Sequence, residues 1–279
     1  MRALSPPRET LCPFRVDGAV AGWLDAARAR RLHDFSGVFD VQADAIAFRS
    51  TLRDANTRTS ALARVAAALA SAGELSPWRD ERYAIGPMLD APPWFLLERA
   101  AARFFGVRTW AVHINGIARM TDTRMWLARR SPAKAIDPGL LDNLVGGGVA
   151  AGVTVDATVE KEAWEEAGIP ASLARKAIGA GTLHIRRMQP DGLQRETIIV
   201  HDLELPAGFA PSNQDGEAVE HRLVDLDEAA RLVTFDHGPD VLTAEASLVV
   251  VDYLLRTERI ARDDPHHAAL AALRGRPDD

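Results

Sequence analysis

Hydrophobic residues recur with helical spacing in three stretches of the first hundred residues. An alanine-rich run at 60–73 predicts a helix, with a serine placed to cap its start and a glycine to end it. The runs at 26–35 and 92–106 have similar spacing and predict two more helices. Polar and apolar positions alternate at 38–50, which predicts a short hairpin.

Beyond Gly106 the pattern changes to alternating, strand-like runs separated by polar turns. Strands are predicted at 109–120, 124–131, 182–189, 195–205 and 217–226. Helices are predicted at 227–233 and 246–258. We therefore expect a smaller α+β N-terminal domain over 1–108, an α/β domain over 109–260 and a C-terminal tail over 261–279.

The composition narrows the classes of partner. The 279-residue chain has a formal net charge of −6, whereas a general nucleic-acid binder needs a basic field. Its one cysteine, Cys12, excludes an internal disulfide and a cysteine-based zinc cluster, and fits a reducing compartment. The start of the chain lacks the apolar segment of a secretory signal, and no apolar run is long enough to span a bilayer. We expect a cytoplasmic protein that binds neither nucleic acid nor membrane.

The most informative stretch is GGGVAAGVTVDATVEKEAWEEAGI, residues 146–169. Glycines at its start lead to a predicted helix, which Thr154 can cap and Gly168 can end. An apolar stripe along this helix consists of Val155, Val159, Ala163 and Ala167. The stripe predicts that one side of the helix packs on the rest of the domain.

A different face of the same helix is acidic. Glu162, Glu165 and Glu166 lie three and four residues apart, so they share one patch and repel one another. They also lie toward the helix C-terminus, where the macrodipole disfavours anions. Clustered carboxylate oxygens are the ligands that Mg²⁺ and Mn²⁺ prefer, so a bound cation would resolve the repulsion. The alternative interpretation is an acidic face that contacts only solvent.

This spacing resembles the Nudix box, the motif of pyrophosphohydrolases that cleave nucleoside diphosphates linked to other groups. The matching positions are Gly147, Glu162, Glu165, Glu166, Gly168 and Ile169. Two positions differ: Val153 replaces a glutamate and Lys161 replaces an arginine, two residues thought to form a charge pair in the family. Segments 128–148, 201–206, 213–220 and 246–256 are similar to one Nudix subgroup that has an extra N-terminal domain and is fused to thiamine pyrophosphokinase in some fungi.

The resemblance implies a Nudix α/β/α sandwich with a mixed sheet, preceded by a smaller α+β domain that covers the substrate cleft. It also implies hydrolysis of a phosphoanhydride with Mg²⁺ or Mn²⁺ as cofactor. The subgroup is implicated in hydrolysing thiamine diphosphate, and especially its oxo and oxy forms, to the monophosphate. The expected partner is therefore a small-molecule diphosphate. Whether the cover comes from the same subunit or from the partner in a homodimer is left open.

The carboxylates of the box are the metal ligands that the resemblance implies: Glu162, Glu165 and Glu166. The general base is either one of them, with Glu165 and Glu166 most important for catalysis, or an acid on a separate loop. Glu217 in the loop NQDGEAVE is the first candidate there and Glu220 the second, because a loop glutamate often completes the metal site in this family.

Candidate residues are predicted for both parts of the substrate, its phosphates and its organic group. Candidates for the phosphates are Arg129, Arg130 and Lys134, which lead from a strand into the glycine stretch, and the backbone N–H of Gly147, which no Cβ shields. Trp110 and His113 are candidates for stacking on a thiazolium–pyrimidine group. For each of these side chains, a structural role is the alternative.

Two other functions are compatible with the sequence. One is a Nudix hydrolase for another diphosphate, such as ADP-ribose or a dinucleotide. The other is a non-catalytic Nudix ligand-binding module, for which Val153 and Lys161 are the support. Retention of all three helix carboxylates disfavours the second alternative, because a binding module has no need to keep their repulsion.

Overall fold

The computed structural model describes residues 10–75 and 77–276, and the chain forms two compact units. The first unit consists of Met1–Trp110, Ala150–Gly152 and Ile185–Glu196, and the second of Ala111–Val149, Val153–His184 and Thr197–Asp279. The ends of the predicted N-terminal domain and C-terminal tail, at 1–9 and 277–279, lie outside the described residues.

The first unit is built on a four-stranded sheet of order β2-β1-β4-β3. Its strands are β1 Cys12–Val16, β2 Ala19–Leu24, β3 Phe39–Val41 and β4 Ile46–Phe48, and a separate antiparallel pair is formed by β5 Arg82–Ile85 and β6 Phe95–Glu98. The helices are α1 Ala26–Arg31 and α2 Ala55–Ser71. The predicted hairpin at 38–50 is confirmed, because β3 and β4 pair antiparallel.

Phenylalanines from separate segments form the centre of this unit. Phe14 on β1 packs edge-on against Phe39 and Phe48, with ring centroids 5.9 Å and 5.1 Å away. Phe95 and Phe105 lie 6.0 Å and 5.8 Å from the same ring. Phe14, Phe39, Phe95 and Phe105 are at most 2% exposed, so the cluster links both strand groups through one apolar core.

Two helix predictions in this unit need correction. Residues 92–106 do not form a helix: β6 is followed by a 3₁₀ turn at Arg99–Ala101. The buried residues Phe95 and Leu97 alternate with half-buried Leu96, whose N–H donates to the Thr59 hydroxyl at 2.8 Å. Antiparallel pairing with β5 therefore overrides the helix propensity of this segment. The helix predicted at 60–73 begins earlier, at Ala55, because Asp54 caps it within a capping box.

The second unit contains most of the seven-stranded sheet, whose main order is β11-β12-β7-β8-β13. The strands are β7 Arg108–Arg119, β8 Thr123–Arg130, β9 Leu141–Asn143, β10 Val145–Gly148, β11 Ile178–Gln189, β12 Gly192–Leu205 and β13 Ala218–Asp225. β10 pairs with β7 and β9 pairs with β8, both antiparallel. These strands place the glycine stretch directly beside β7 and confirm all five predicted strands.

Helices flank this sheet. They are α3 Val155–Ala167, α4 Ala171–Ala174, α5 Leu226–Leu232, α6 Ala244–Arg256 and α7 His267–Ala272. α5 and α6 pack on the apolar side chains of β7 and β8, in a core that includes Ile117, Met125, Leu127, Val250 and Leu254. Among the helices described, none combines the length and hydropathy that crossing a bilayer requires. The predicted α/β class, with an additional N-terminal part that has its own sheet, is confirmed.

Candidate active site

The acidic helix α3 has the predicted ends. The Thr154 hydroxyl accepts a hydrogen bond from Ala157 N–H at 3.2 Å, and Gly168 takes the left-handed conformation with φ 63°. Beyond it, a loop folds back: Ser212 N–H donates to the Ala167 carbonyl at 3.0 Å, and Gln214 N–H to the Glu165 carbonyl at 2.7 Å. This loop therefore satisfies the last carbonyls of α3 and leads directly to Glu217.

Glu166 binds the glycine strand β10. Its carboxylate accepts a hydrogen bond from Gly146 N–H at 2.7 Å. Burial raises the pKa of Glu166 well above its ordinary value; the Gly146 hydrogen bond and Lys134 oppose this shift, and Asp142 and Glu162 reinforce it. The site thus places a carboxylate where ionisation is unfavourable unless additional positive charge is supplied.

Glu162 lies against the next glycine of the same strand. A Cβ at Gly147 would come within 2.3 Å of Glu162 Cδ and 2.4 Å of its Cγ. The Glu162 side chain is 13% exposed, so it occupies the space that a larger residue at position 147 would fill. Only glycine at this position lets the carboxylate fold closely over β10.

We predict that Gly147→Ala lowers kcat/KM for the diphosphate substrate by about ten- to a hundredfold. The added methyl must displace Glu162, and such a displacement disturbs a positioned ligand more than it disturbs the fold. The matched control is Gly179→Ala, where a Cβ would meet nothing within 4 Å. The test is to measure kcat/KM and the melting temperature of both variants. Equal kcat/KM values in Gly147→Ala and Gly179→Ala would show that Glu162 does not need to lie close to β10.

Lys161 contacts the two other helix carboxylates of the predicted metal site. Its Nζ lies 2.9 Å from Glu162 Oε1 and 2.7 Å from Glu165 Oε2. Burial lowers the pKa of Lys161, but the hydrogen bonds that its ammonium donates to Glu165 and Glu162 outweigh burial and raise the pKa overall. The residue at the arginine position of the box therefore bridges two acids of its own helix.

Lys134 and Glu217 form a second ion pair at the site. The Lys134 ammonium donates to the Glu217 carboxylate, and the side chain of Lys134 is 17% exposed. The Glu217 carbonyl also accepts from Ser131 N–H at 2.8 Å, which joins the two loops through the backbone. The predicted phosphate ligand and the predicted base are thus neighbours, and Lys134 also acts electrostatically on Glu166.

The two arginines predicted for phosphate have protein partners instead. Arg129 contacts Glu220 at 2.6 Å and Asp240 at 2.7 Å. Arg130 contacts Asp142 at 2.8 Å and the Ile136 carbonyl at 3.0 Å. These contacts tie the end of β8 to β9, to β13 and to the segment that contains Asp240. They also engage Glu220, the second candidate for the base.

Of the two residues predicted to stack on the organic group, only His113 lies in the same unit as the acidic helix, since Trp110 belongs to the first unit. His113 is paired with Gly146 across β7 and β10, and a Cβ on Gly146 would lie 3.1 Å from its ring. Its Nδ1 lies 2.7 Å from Asn143 Oδ1, and both residues are buried. Asn143 therefore fixes the orientation of the His113 ring beside β10.

Three further residues at the site were not predicted: Asp142, Asn143 and His221. Asp142 precedes Asn143 on β9 and adds negative charge beside Glu166. His221 on β13 donates from Nε2 to the Glu166 carbonyl at 3.1 Å, and burial lowers the pKa of its imidazole. Asp142 and Asn143 could have been found from the sequence, because these polar residues come just before the glycines. His221 has no such signal, because it lies 55 residues away from Glu166 in the sequence.

The donor set of the site fits a hard divalent cation. Its atoms are carboxylate oxygens, and the raised pKa of Glu166 indicates that its ionised form lacks sufficient positive charge. Within residues 10–75 and 77–276, no three His, Cys, Asp or Glu side chains converge as a ready-made ligand cluster. Glu162 and Glu165 point to Lys161, whereas Glu166 points to Gly146, so rotation of these flexible side chains would be needed to share one ion.

A glycine strand contacts a helix with three carboxylates, beside a lysine–glutamate pair. Carboxylates are ligands of the divalent ions that assist hydrolysis of phosphoanhydrides. Residues 109–244 match the NUDIX domain family, and residues 2–109 match a domain of unknown function, DUF4743. The chain belongs to the Nudix hydrolase family and is a pyrophosphatase, which confirms the predicted enzyme class. Nudix hydrolases generally use divalent metal ions such as Mg²⁺.

Two curated plant proteins are similar over most of the chain. Nudix hydrolase 24, chloroplastic, of Arabidopsis thaliana is 33% identical over 261 residues, which cover 92% of this chain and 71% of the relative. Nudix hydrolase 20, chloroplastic, of the same plant is 32% identical over 254 residues, covering 88% and 67%. The crystal structure of DR0079 from Deinococcus radiodurans covers 61% of this chain and 97% of its own, with 16% identity and a TM-score of 0.46.

Proposed function

We propose that the chain is a Mg²⁺-dependent pyrophosphohydrolase that converts thiamine diphosphate, or its oxo and oxy forms, to the monophosphate and inorganic phosphate. The observation that carries the hydrolytic part is the contact of Glu166 and Glu162 with the glycine strand β10. The organic group rests on the resemblance of 128–148, 201–206, 213–220 and 246–256 to the thiamine-related Nudix subgroup. A thiazolium cation would also suit a site rich in carboxylates.

In this proposal Glu162, Glu165 and Glu166 hold the metal ion. When bound, the ion supplies neutralisation of the phosphate oxygens and lowers the pKa of a water molecule. The water oxygen attacks the terminal phosphorus, and the bond from that phosphorus to the bridging oxygen breaks, with its electron pair leaving on the monophosphate.

The chain's own residues serve the other needs of the reaction. Lys134 is the phosphate ligand we favour. Its ammonium contacts Glu217, whereas Arg129 is held by both Glu220 and Asp240, and Arg130 by Asp142 and the Ile136 carbonyl. When the Lys134 ammonium turns from Glu217 to a phosphate oxygen, the Glu217 carboxylate becomes able to accept the proton of the attacking water.

Gly146 N–H already donates to Glu166, and Glu162 fills the space beside Gly147, so a phosphate reaches these amides only when both carboxylates turn to the metal. His113 is buried beside Gly146 and hydrogen-bonded to Asn143, so in this proposal it supports β10 from beneath.

The alternative substrate is another diphosphate, such as ADP-ribose or a dinucleotide. Its cleavage yields two organic phosphates, whereas a terminal diphosphate yields inorganic phosphate directly. The non-catalytic module would bind a ligand tightly and turn nothing over at saturating Mg²⁺. These three outcomes differ in their products, so they can be separated without a structure of the complex.

We expect Mg²⁺-dependent release of inorganic phosphate from thiamine diphosphate and oxothiamine diphosphate in a panel that also contains ADP-ribose and a dinucleotide. Products are separated by chromatography, and phosphate is measured before and after addition of a phosphatase. Samples with excess chelator provide the metal-free control. The alternative substrate would be established by two results together. The thiamine compounds would release no phosphate, and the products from ADP-ribose or the dinucleotide would release phosphate only after phosphatase treatment.

A further inference from the structure

Lysine is rare in this chain, and most of its lysines lie at the candidate site. The sequence has three lysines among 33 lysine and arginine residues. Lys161 contacts Glu162 and Glu165, Lys134 contacts Glu217, and Lys176 is exposed. Two of the three therefore lie against the carboxylates that the proposed function needs, although arginine fills nearly every other basic position.

Lysine and arginine carry the same charge but contact carboxylates in different ways. A guanidinium is a planar fork that binds one carboxylate through two parallel hydrogen bonds. An ammonium is a compact charge on a flexible stem, and one nitrogen can bridge two carboxylates on successive turns. Lys161 Nζ makes both contacts at 2.9 Å and 2.7 Å, so it already supplies the positive charge that Glu162 and Glu165 otherwise lack.

We propose that Lys161 is an internal counter-ion that competes with the divalent metal for Glu162 and Glu165 and thereby weakens metal affinity. The inference rests on the proposed function, because it takes these two acids as metal ligands. Lys161 occupies one oxygen of each carboxylate, so a metal ion must either displace the ammonium or bind beside its charge. In both cases the positive charge of Lys161 repels the bound ion.

The side chain of Lys161 is 53% exposed, so it can swing into solvent when the carboxylates bind an ion. This exposure also limits the size of the effect, because water and salt screen the charge. Glu162 is 13% exposed, and its interaction with the ammonium is screened less. The result is a site that requires a higher metal concentration than its carboxylates alone would require.

We expect Lys161→Met to bind Mn²⁺ about three- to tenfold more tightly than the wild-type chain, since the substitution removes the charge and keeps the length of the stem. Lys161→Arg retains the charge and should stay within about twofold of wild type on the same electrostatic argument. Lys176→Met is the matched control and should not change the dissociation constant. Titration calorimetry of the full chain with Mn²⁺ alone gives these constants.

The outcomes distinguish failure of the metal site from failure of the counter-ion role of Lys161. Absence of Mn²⁺ binding by the wild-type chain, or equal Mn²⁺ affinity in wild type and Glu166→Gln, would remove the metal site and with it the proposed function. Wild-type protein that binds Mn²⁺, combined with equal or weaker binding by Lys161→Met, would overturn the counter-ion role and leave the function intact. The Mg²⁺ concentration for half-maximal activity provides a second measurement, and it should fall in Lys161→Met by a similar factor.

Discussion

Substitution of Glu166 by glutamine is expected to lower kcat by about a thousandfold or more while leaving the protein folded. Glu166 lies where the acidic helix meets the glycine strand, and its carboxylate accepts from Gly146 N–H at 2.7 Å. A glutamine oxygen can accept the same hydrogen bond, so the local structure should remain. The amide, however, is a poor ligand for a hard divalent ion and carries no charge to hold it.

The same substitution should not destabilise the metal-free fold. Burial raises the pKa of Glu166 above its ordinary value of 4.5, so the folded chain binds the proton more tightly than the unfolded chain does. Ionisation of Glu166 therefore costs stability as the pH rises above that value, and glutamine removes this cost. At pH 7.5 in excess chelator, Glu166→Gln is expected to melt at the wild-type temperature or above it.

Glu160→Gln is the control for both measurements. Glu160 is on the same helix but pairs with Arg175, at 3.1 Å, away from the glycine strand. The same chemical change there should leave kcat within about twofold of wild type, because an exposed ion pair contributes little. Retained activity in Glu166→Gln, or equal losses in both variants, would contradict the assignment of Glu166 as a metal ligand.

The parts of the site predicted from sequence are those encoded locally. Thr154 and Gly168 mark the ends of α3 because capping depends on residues within one turn of the helix. The shared face of Glu162, Glu165 and Glu166 follows from helical periodicity alone. The strands β7 and β8, with which β10 and β9 pair, were also predicted, because alternation of polar and apolar residues is a local property. The short strands β9 and β10 were not predicted.

The missed features depend on contacts between distant segments. Lys134 meets Glu217 across 83 residues, and His221 reaches the Glu166 carbonyl across 55, so neither pairing could be derived from spacing. The segment 92–106 was predicted as a helix because its composition favours one, yet pairing with β5 makes part of it a strand. The bridge from Lys161 to both Glu162 and Glu165 depends on side-chain conformation, which helical spacing alone does not fix.

A close crossing of two backbone segments in the first unit was also invisible in the sequence. Gly22 on β2 approaches the turn after β6, and a Cβ there would lie 2.2 Å from the Phe105 carbonyl oxygen. On the other side of the crossing, a Cβ at Gly106 would lie 2.0 Å from the Trp23 carbonyl oxygen. Trp23 N–H donates to the Gly106 carbonyl at 3.3 Å, so hydrogen bonding and contact between backbones occur at the same point.

Gly106→Ala is therefore expected to destabilise the protein by about 3 kcal/mol or more. Gly106 has φ +55°, and its methyl would strike backbone that cannot rotate away. Gly18→Ala is the matched control: Gly18 has φ +86° but nothing lies within 4 Å of its Cβ position, so only the conformational cost of about 1 kcal/mol applies. Urea denaturation followed by tryptophan fluorescence measures both free energies of unfolding. Equal losses in the two variants would show that conformation alone, and not the crossing of the backbones, requires glycine at position 106.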